Sequence, residues 1–187
     1  MKVVAYVREN IAIREYDAAW PRVAAFVADL IRECAPDVQI DHVGSTAVPA
    51  LAGKGVIDLM VVAPVEQIPG LTQLFVGSGL QRRPNGFPTR RPLLFISVQD
   101  GAVVHQVHVH IVPESDDEVV IQRGLVAALR ADPALREDYA DLKRSIVAAG
   151  ALDPVPYSIA KEGWLTATLE RLGLPPTPAA FQAPRRS

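Results

Sequence analysis

Apolar and polar positions change rhythm along this chain. From residue 20 to 34 the apolar residues Trp20, Val23, Phe26, Val27, Leu30, Ile31 and Cys34 recur at three-and-four spacing, which predicts one buried helix face. Asp17 stands where an N-cap belongs, and Pro21 falls in the first turn, where a missing N–H costs little. Residues 38–43 and 55–63 are short apolar runs that predict strands. Residues 65–77 carry a weaker helical pattern containing Pro69-Gly70, and 80–91 form a basic, turn-rich loop. Residues 93–98 and 102–112 predict a hairpin with Asp100-Gly101 as its turn. The rhythm then becomes helical, with faces at Val120, Ile121, Leu125, Ala128 and Leu129, at Leu135, Tyr139, Leu142 and Ile146, and at Ile159, Trp164, Leu165, Leu169 and Leu172. Residues 3–7 and 11–13 read as short extended pieces.

This order predicts an α/β fold: a small mixed sheet of four or five strands, the first helix packed on it, and three helices closing over it. The expected division is one domain over residues 1–173, with a sheet core at 1–113 and a helical part at 114–173. A Pro-rich tail, 174–187, is expected to be extended or disordered. No internal repeat at a fixed long period is visible.

Composition narrows the picture. The chain has 187 residues, 49% of them hydrophobic, enough to bury a substantial core. A formal net charge of −2 argues against a strongly basic nucleic-acid binder. The single cysteine, Cys34, excludes an internal disulfide and reads as a core residue, which suits a reducing cytoplasm. The first residues lack a signal-peptide pattern, and no apolar run approaches the roughly 20 residues that span a membrane. The expectation is a cytoplasmic protein.

The candidate chemistry concentrates in Asp41-His42-Val43-Gly44-Ser45-Thr46 and in Lys54-Gly55-Val56-Ile57-Asp58-Leu59-Met60. An acid inside an apolar strand costs several kcal/mol if buried unpaired, so Asp58 calls for a cation, a partner or a ligand. Asp58 would then be a metal ligand or a general base towards an acceptor hydroxyl, a catalytic role shared with His110; the bland alternative is an acid bonded to backbone or to an arginine. Gly44, Ser45 and Thr46 make a turn that lets a phosphate approach backbone N–H groups and hydroxyls, or they are simply a tight capped turn. Lys54 shares the strand alternation of Asp58 and would neutralise phosphate, or else be a solvated lysine. His42 lies on the face of Gly44, as a ligand contact or as a half-buried histidine bonded to a carbonyl. His108 and His110 share one face, with Val107, Val109 and Ile111 opposite, and two imidazoles at that spacing bind metal or grip phosphate. His105 reads as a strand-edge residue without a role. The acids of 114–118 read as a helix N-terminus rather than a metal site. Arg82, Arg83, Arg90 and Arg91 read as a solvated loop, with a phosphate lid as the sharper alternative.

Taken in order, Tyr16-Asp17, Trp20-Pro21, His42-Val-Gly-Ser-Thr, Val48-Pro49, Lys54, Ile57-Asp58, His108-Val-His110, Tyr139-Ala-Asp-Leu-Lys143 and Tyr157-Ser-Ile-Ala-Lys161 resemble the GrpB family of the nucleotidyltransferase superfamily. The resemblance runs over roughly residues 8–172. It implies a nucleotidyltransferase-like core that binds a nucleotide or other phosphate-bearing small molecule. By this resemblance Gly44, Ser45 and Lys54 hold the phosphates, while Asp58, with His110 in place of an acid, holds Mg²⁺ or another divalent metal ion. The pairs Tyr139/Lys143 and Tyr157/Lys161, each one helical turn apart, are candidates to reach the ligand; otherwise they are core tyrosines with lysines snorkelling outward. The implied reaction is in-line attack of an acceptor hydroxyl on an α-phosphate. Fusion of the family to dephospho-CoA kinase hints at coenzyme A or nucleotide metabolism.

Three positions depart from the superfamily or family pattern. The family usually has Gly at Ala50 and Pro at Gly55. Active nucleotidyltransferases usually place a second carboxylate where this chain has Met60. A non-catalytic phosphate-binding module is therefore the alternative. A minor alternative is a histidine-triad-like hydrolase, from Gln106-Val-His108-Val-His110-Ile-Val112, with Gln in place of the first His. Base, acceptor and oligomeric state are left open by the sequence.

Overall fold

Alternating runs of β-branched residues build a six-stranded mixed sheet in a computed structural model that describes residues 1–7, 10–82 and 91–176. The strands are β1 (Lys2–Val4), β2 (Gln39–Val43), β3 (Ile57–Ala63), β4 (Gln81–Arg82), β5 (Leu93–Asp100) and β6 (Val103–Pro113). Their order is β1-β5-β6-β3-β2, with β4 also pairing with β5. The β3–β6 pair is parallel and the other pairs are antiparallel. The β5–β6 hairpin turns at Gly101-Ala102, one residue beyond the predicted turn, with Asp100 opposite Val103 and Gly101 at φ +60°.

Period-two alternation sends the two faces of β3 and β6 into separate cores. Ile57, Leu59, Val61, Val107, Val109 and Ile111 pack under α1 (Ala19–Cys34) and α2 (Ile68–Gly77). The opposite face, with Val43, Met60, Val62 and Val112, packs against α3 (Asp117–Ala131) and α4 (Pro133–Ala148). The predicted third C-terminal helix is two helices, α5 (Pro154–Ala160) and α6 (Glu162–Arg171), with Lys161 as the junction that caps both. That break leaves Ile159 exposed instead of on a buried face.

Other expectations shift by small amounts for local reasons. The cap residue of α1 is Ala18, yet the Asp17 carboxylate still accepts the Ala19 N–H at 2.8 Å. Val119, not Val120, faces the core, because Asp116 caps α3 and fixes its phase. Cys34 is only half-buried at the core margin, its thiol donating to the Ile31 carbonyl at 3.2 Å. His105 is not an edge residue: it is buried in β6 opposite Val98 of β5. Residues 11–13 form no strand, although Arg14 makes a bridge to Gly53. Leu174 packs against Gly124 of α3, so the start of the predicted tail is docked; residues 177–187 lie outside the described residues. So do Arg83 and Arg90 of the basic loop, whereas Arg91 forms a bidentate ion pair with the buried Asp116. No described helix is long and apolar enough to cross a membrane.

Two loop positions between β2 and β3 bear on the departures from the family pattern. Gly55 has φ +76°, a value that a proline ring forbids. Ala50 is the one described non-glycine residue at positive φ, +63°, and it is exposed. A left-handed alanine costs roughly 1–2 kcal/mol, and the greater freedom of unfolded glycine returns about half of that. Ala50→Gly is expected to stabilise the fold by about 0.5–1 kcal/mol, read as a higher urea midpoint at unchanged slope.

Candidate functional site

Asp58 opens β3 on the face covered by the C-terminal helices. The parallel register sets Asp58 beside His108 and Met60 beside His110. The missing carboxylate position on β3 therefore has an imidazole as its immediate neighbour on β6. His110 Nε2 lies 3.2 Å and His108 Nδ1 3.6 Å from the same oxygen, Asp58 Oδ1. The three ligand atoms lie within 4.8 Å of one another, close enough for one ion. Burial alone would raise the Asp58 carboxyl. The hydrogen bond and charge of His110, with the charges of His108 and Lys54, overcome it and hold the carboxyl at about 2. Asp58 is therefore ionised at neutral pH.

Gly44 sits against this carboxylate. Its backbone, at φ +70° and ψ −169°, lies in a region open essentially to glycine alone. A Cβ there would stand 2.8 Å from Asp58 Oδ2. Ser45 and Thr46 continue into a short 3₁₀ turn, Ser45–Ala47. Thr46 is buried, and its hydroxyl lies 3.0 Å from His42 Nε2. His42 pairs with Leu59, one residue out of phase with Asp58, and burial lowers its imidazole to about 4. His42 thus props the turn through Thr46 as a neutral ring.

The lysines come from three directions. Lys143 of α4 is 1% exposed, so it does not snorkel. Its ammonium donates to Ser45 Oγ at 3.0 Å and to the Ala52 carbonyl, and lies 4.5 Å from the centre of the Tyr139 ring. Tyr139 in turn stacks on Trp164 with ring centres 4.3 Å apart. Lys54 and Lys161 both lie over the Tyr157 ring, at 4.9 and 4.8 Å. Both Tyr/Lys pairs therefore reach the site. Burial, then the charge of Lys161, lowers Lys54; burial lowers Lys161, while Asp58 raises both. Burial raises the phenols of Tyr139, with Asp58 next, and of Tyr157, so both stay neutral. Lys54 and Lys161 thus share the ionised Asp58 carboxylate as counter-charge, with Lys143 as their neighbour, an arrangement that favours a polyanion.

Lys143 is lowered as well. Burial first, then Lys161, Arg144 and Lys54, brings it to about 7. In the unfolded chain it holds its proton to about 10.4. Between those values the unfolded state binds the extra proton, so the lysine's contribution makes stability rise with pH, by up to about 1.4 kcal/mol per unit. Urea denaturation of the native chain and of Lys143→Met is expected to show the native chain gaining on the variant from about pH 7 to about pH 10. A constant difference would mean that Lys143 is protonated throughout.

Tyr6 belongs to the site without having been singled out in the sequence, and Gln106, read there only as a substitute in a histidine-triad-like run, is its partner. The Tyr6 hydroxyl donates to Gln106 Oε1 at 3.0 Å and lies 3.1 Å from His108 Nε2, with its ring 5.1 Å from that of Phe95. Tyr6 carries no motif signal; only the chain path past β6 brings the two together.

The family profile described as "GrpB protein" matches residues 10–171. The UPF0157 protein BH1888 of Halalkalibacterium halodurans is 30% identical over 145 residues, 73% of this chain and 69% of its own. The UPF0157 protein SCO7215 of Streptomyces coelicolor is 28% identical over 175 residues, 88% of this chain and 85% of its own. Among solved structures, the conserved protein GrpB from Enterococcus faecalis superposes with a TM-score of 0.71 at 22% identity, covering 86% of this chain and 96% of that one. The Cid1 poly(U) polymerase, solved with Mg 3'-dATP bound, superposes with a TM-score of 0.54 at 12% identity, covering 79% of this chain and 49% of the polymerase. The fold is thus nucleotidyltransferase-like.

Proposed function

This chain belongs to the GrpB family, and from that premise we propose that it binds a nucleotide with a divalent metal ion and transfers the nucleotidyl group to an acceptor hydroxyl. The observation that carries the reading is that Lys54 and Lys161 stand in the field of the Asp58–His110 pair, with Lys143 beside those two lysines. The fold shared with a polymerase that was solved with a magnesium-bound nucleotide adds support.

In this reading the three lysines receive the polyphosphate, and the turn at Gly44-Ser45-Thr46 borders it. The Tyr157 ring, in contact with the ammonium groups of Lys54 and Lys161, helps to fix where they stand. Asp58 and His110 would hold the ion, which supplies charge neutralisation at the α-phosphate. Asp58, held at about 2, is too weak a base to take a proton and serves as a ligand. The acceptor hydroxyl loses its proton to solvent water as its oxygen bonds to the α-phosphorus and the bond from that phosphorus to the β-phosphate oxygen breaks. Pyrophosphate then leaves against the lysines.

A second reading has its own support. Met60 is buried in the core beneath the site, so β3 offers one carboxylate where the superfamily usually offers two. A phosphate-binding module without turnover would need no second acid. Incubation with each of the four ribonucleoside triphosphates, with Mg²⁺ or Mn²⁺, separates the two. Metal-dependent thermal stabilisation with pyrophosphate release is expected for the transferase, and stabilisation without release for the module. No stabilisation by any nucleotide would exclude both.

A further inference from the structure

We infer that His108 is the third ligand of the ion, oriented by Tyr6, and that the centre selects a transition ion such as Zn²⁺ over Mg²⁺. The inference rests on the reading that Asp58 and His110 hold a metal.

The Tyr6 hydroxyl, which donates to Gln106 Oε1 at 3.0 Å, also lies 3.1 Å from His108 Nε2 and so sets the orientation of that ring. With Nε2 towards Tyr6, Nδ1 is the ring nitrogen turned towards Asp58 Oδ1, at 3.6 Å. That separation is too long for a hydrogen bond. A histidine whose far nitrogen is pinned by an oxygen is the usual partner arrangement of a metal-ligating imidazole.

The distances suit a small ion. Bonds of about 2.05 Å at tetrahedral angles set ligand atoms about 3.3 Å apart. The two measured edges, 3.2 Å to His110 Nε2 and 3.6 Å to His108 Nδ1, bracket that value. The donor chemistry agrees. Two imidazoles and one carboxylate suit Zn²⁺, Co²⁺ or Fe²⁺, whereas Mg²⁺ prefers an all-oxygen octahedron.

The test uses the whole 187-residue chain and metal alone, with no nucleotide. Titration with Co²⁺, followed by visible absorption and calorimetry, is expected to give one equivalent with the intense bands of a low-coordinate site. Zn²⁺ should displace it, and a hundredfold excess of Mg²⁺ should not. His108→Gln and Asp58→Asn should each abolish the bands. Tyr6→Phe keeps the ring against Phe95 but removes the hydroxyl that holds His108, and is expected to weaken Co²⁺ about 10–100-fold and shift the bands, with far-ultraviolet dichroism unchanged. Co²⁺ binding that Mg²⁺ displaces equally would overturn the inference. So would a Tyr6→Phe variant with the affinity and spectrum of the native chain, or the absence of bound Co²⁺. The two readings fail separately. Metal binding without nucleotide binding overturns the transferase reading and leaves this inference standing. Nucleotide binding with Mg²⁺ but no Co²⁺ or Zn²⁺ site overturns this inference alone.

Discussion

Replacing Gly44 with valine is expected to cost roughly 2–6 kcal/mol of stability and to remove metal binding in whatever fraction still folds. Two separate penalties add. The backbone at φ +70° and ψ −169° is one that residues with a Cβ adopt only under strain of about 1–3 kcal/mol. The new Cβ would also stand 2.8 Å from Asp58 Oδ2, so either the turn or the carboxylate must move. Overpacking of this kind adds about 1–3 kcal/mol. Because both penalties arise at the Cβ, Gly44→Ala should already show most of the effect. Ser45→Ala, one residue on, removes only the acceptor for Lys143 and should cost about 0.5–1.5 kcal/mol. Urea denaturation of the three variants ranks them. A Gly44→Ala protein as stable as the native chain, or no worse than Ser45→Ala, would mean that the turn does not press on Asp58.

Asp58→Asn is expected to leave the fold in place and to lower metal affinity on the order of a hundredfold or more. It removes the one carboxylate among the proposed ligands and the counter-charge for Lys54 and Lys161. Stability should fall as well, but modestly. A carboxyl held at about 2 in the fold, against an ordinary 3.8, contributes about 2 kcal/mol above pH 4. Because the folded value is the lower one, that contribution is present above the ordinary value and is lost as pH falls towards 2. The native chain should therefore lose its advantage over Asp58→Asn between about pH 4 and about pH 2. Metal affinity measured by calorimetry and stability measured by urea at several acid pH values check the two halves. Unchanged metal affinity would make Asp58 a structural acid.

The site divides into what alternation can predict and what only packing decides. Strand alternation alone put His108, His110 and Asp58 on faces, and the family resemblance suggested that the faces coincide. The register that sets Met60 beside His110 came from the pairing of β3 with β6 across a crossover, which no local pattern encodes. Gly44 was legible as a turn glycine, but not as the residue that walls the Asp58 carboxylate. Lysines at one helical turn from tyrosines ordinarily snorkel. Lys143 is instead drawn inward because Ser45 Oγ and the Ala52 carbonyl satisfy its ammonium. Tyr6 lay in a stretch that read only as extended chain, and its hydroxyl acquires a role through Gln106, a hundred residues away. The helical phases were legible to within a residue at α3, where Asp116 resets the start, and failed at Lys161, where one helix becomes two.

Titration of ATP into the protein, with and without Mn²⁺, for the native chain and for Asp58→Asn, tests the central claim most directly. The account predicts saturable binding by the native chain that tightens at least tenfold with the metal, and no metal-dependent component in the variant. Equal ATP affinity with and without metal, or a metal-dependent component that survives in Asp58→Asn, would contradict it.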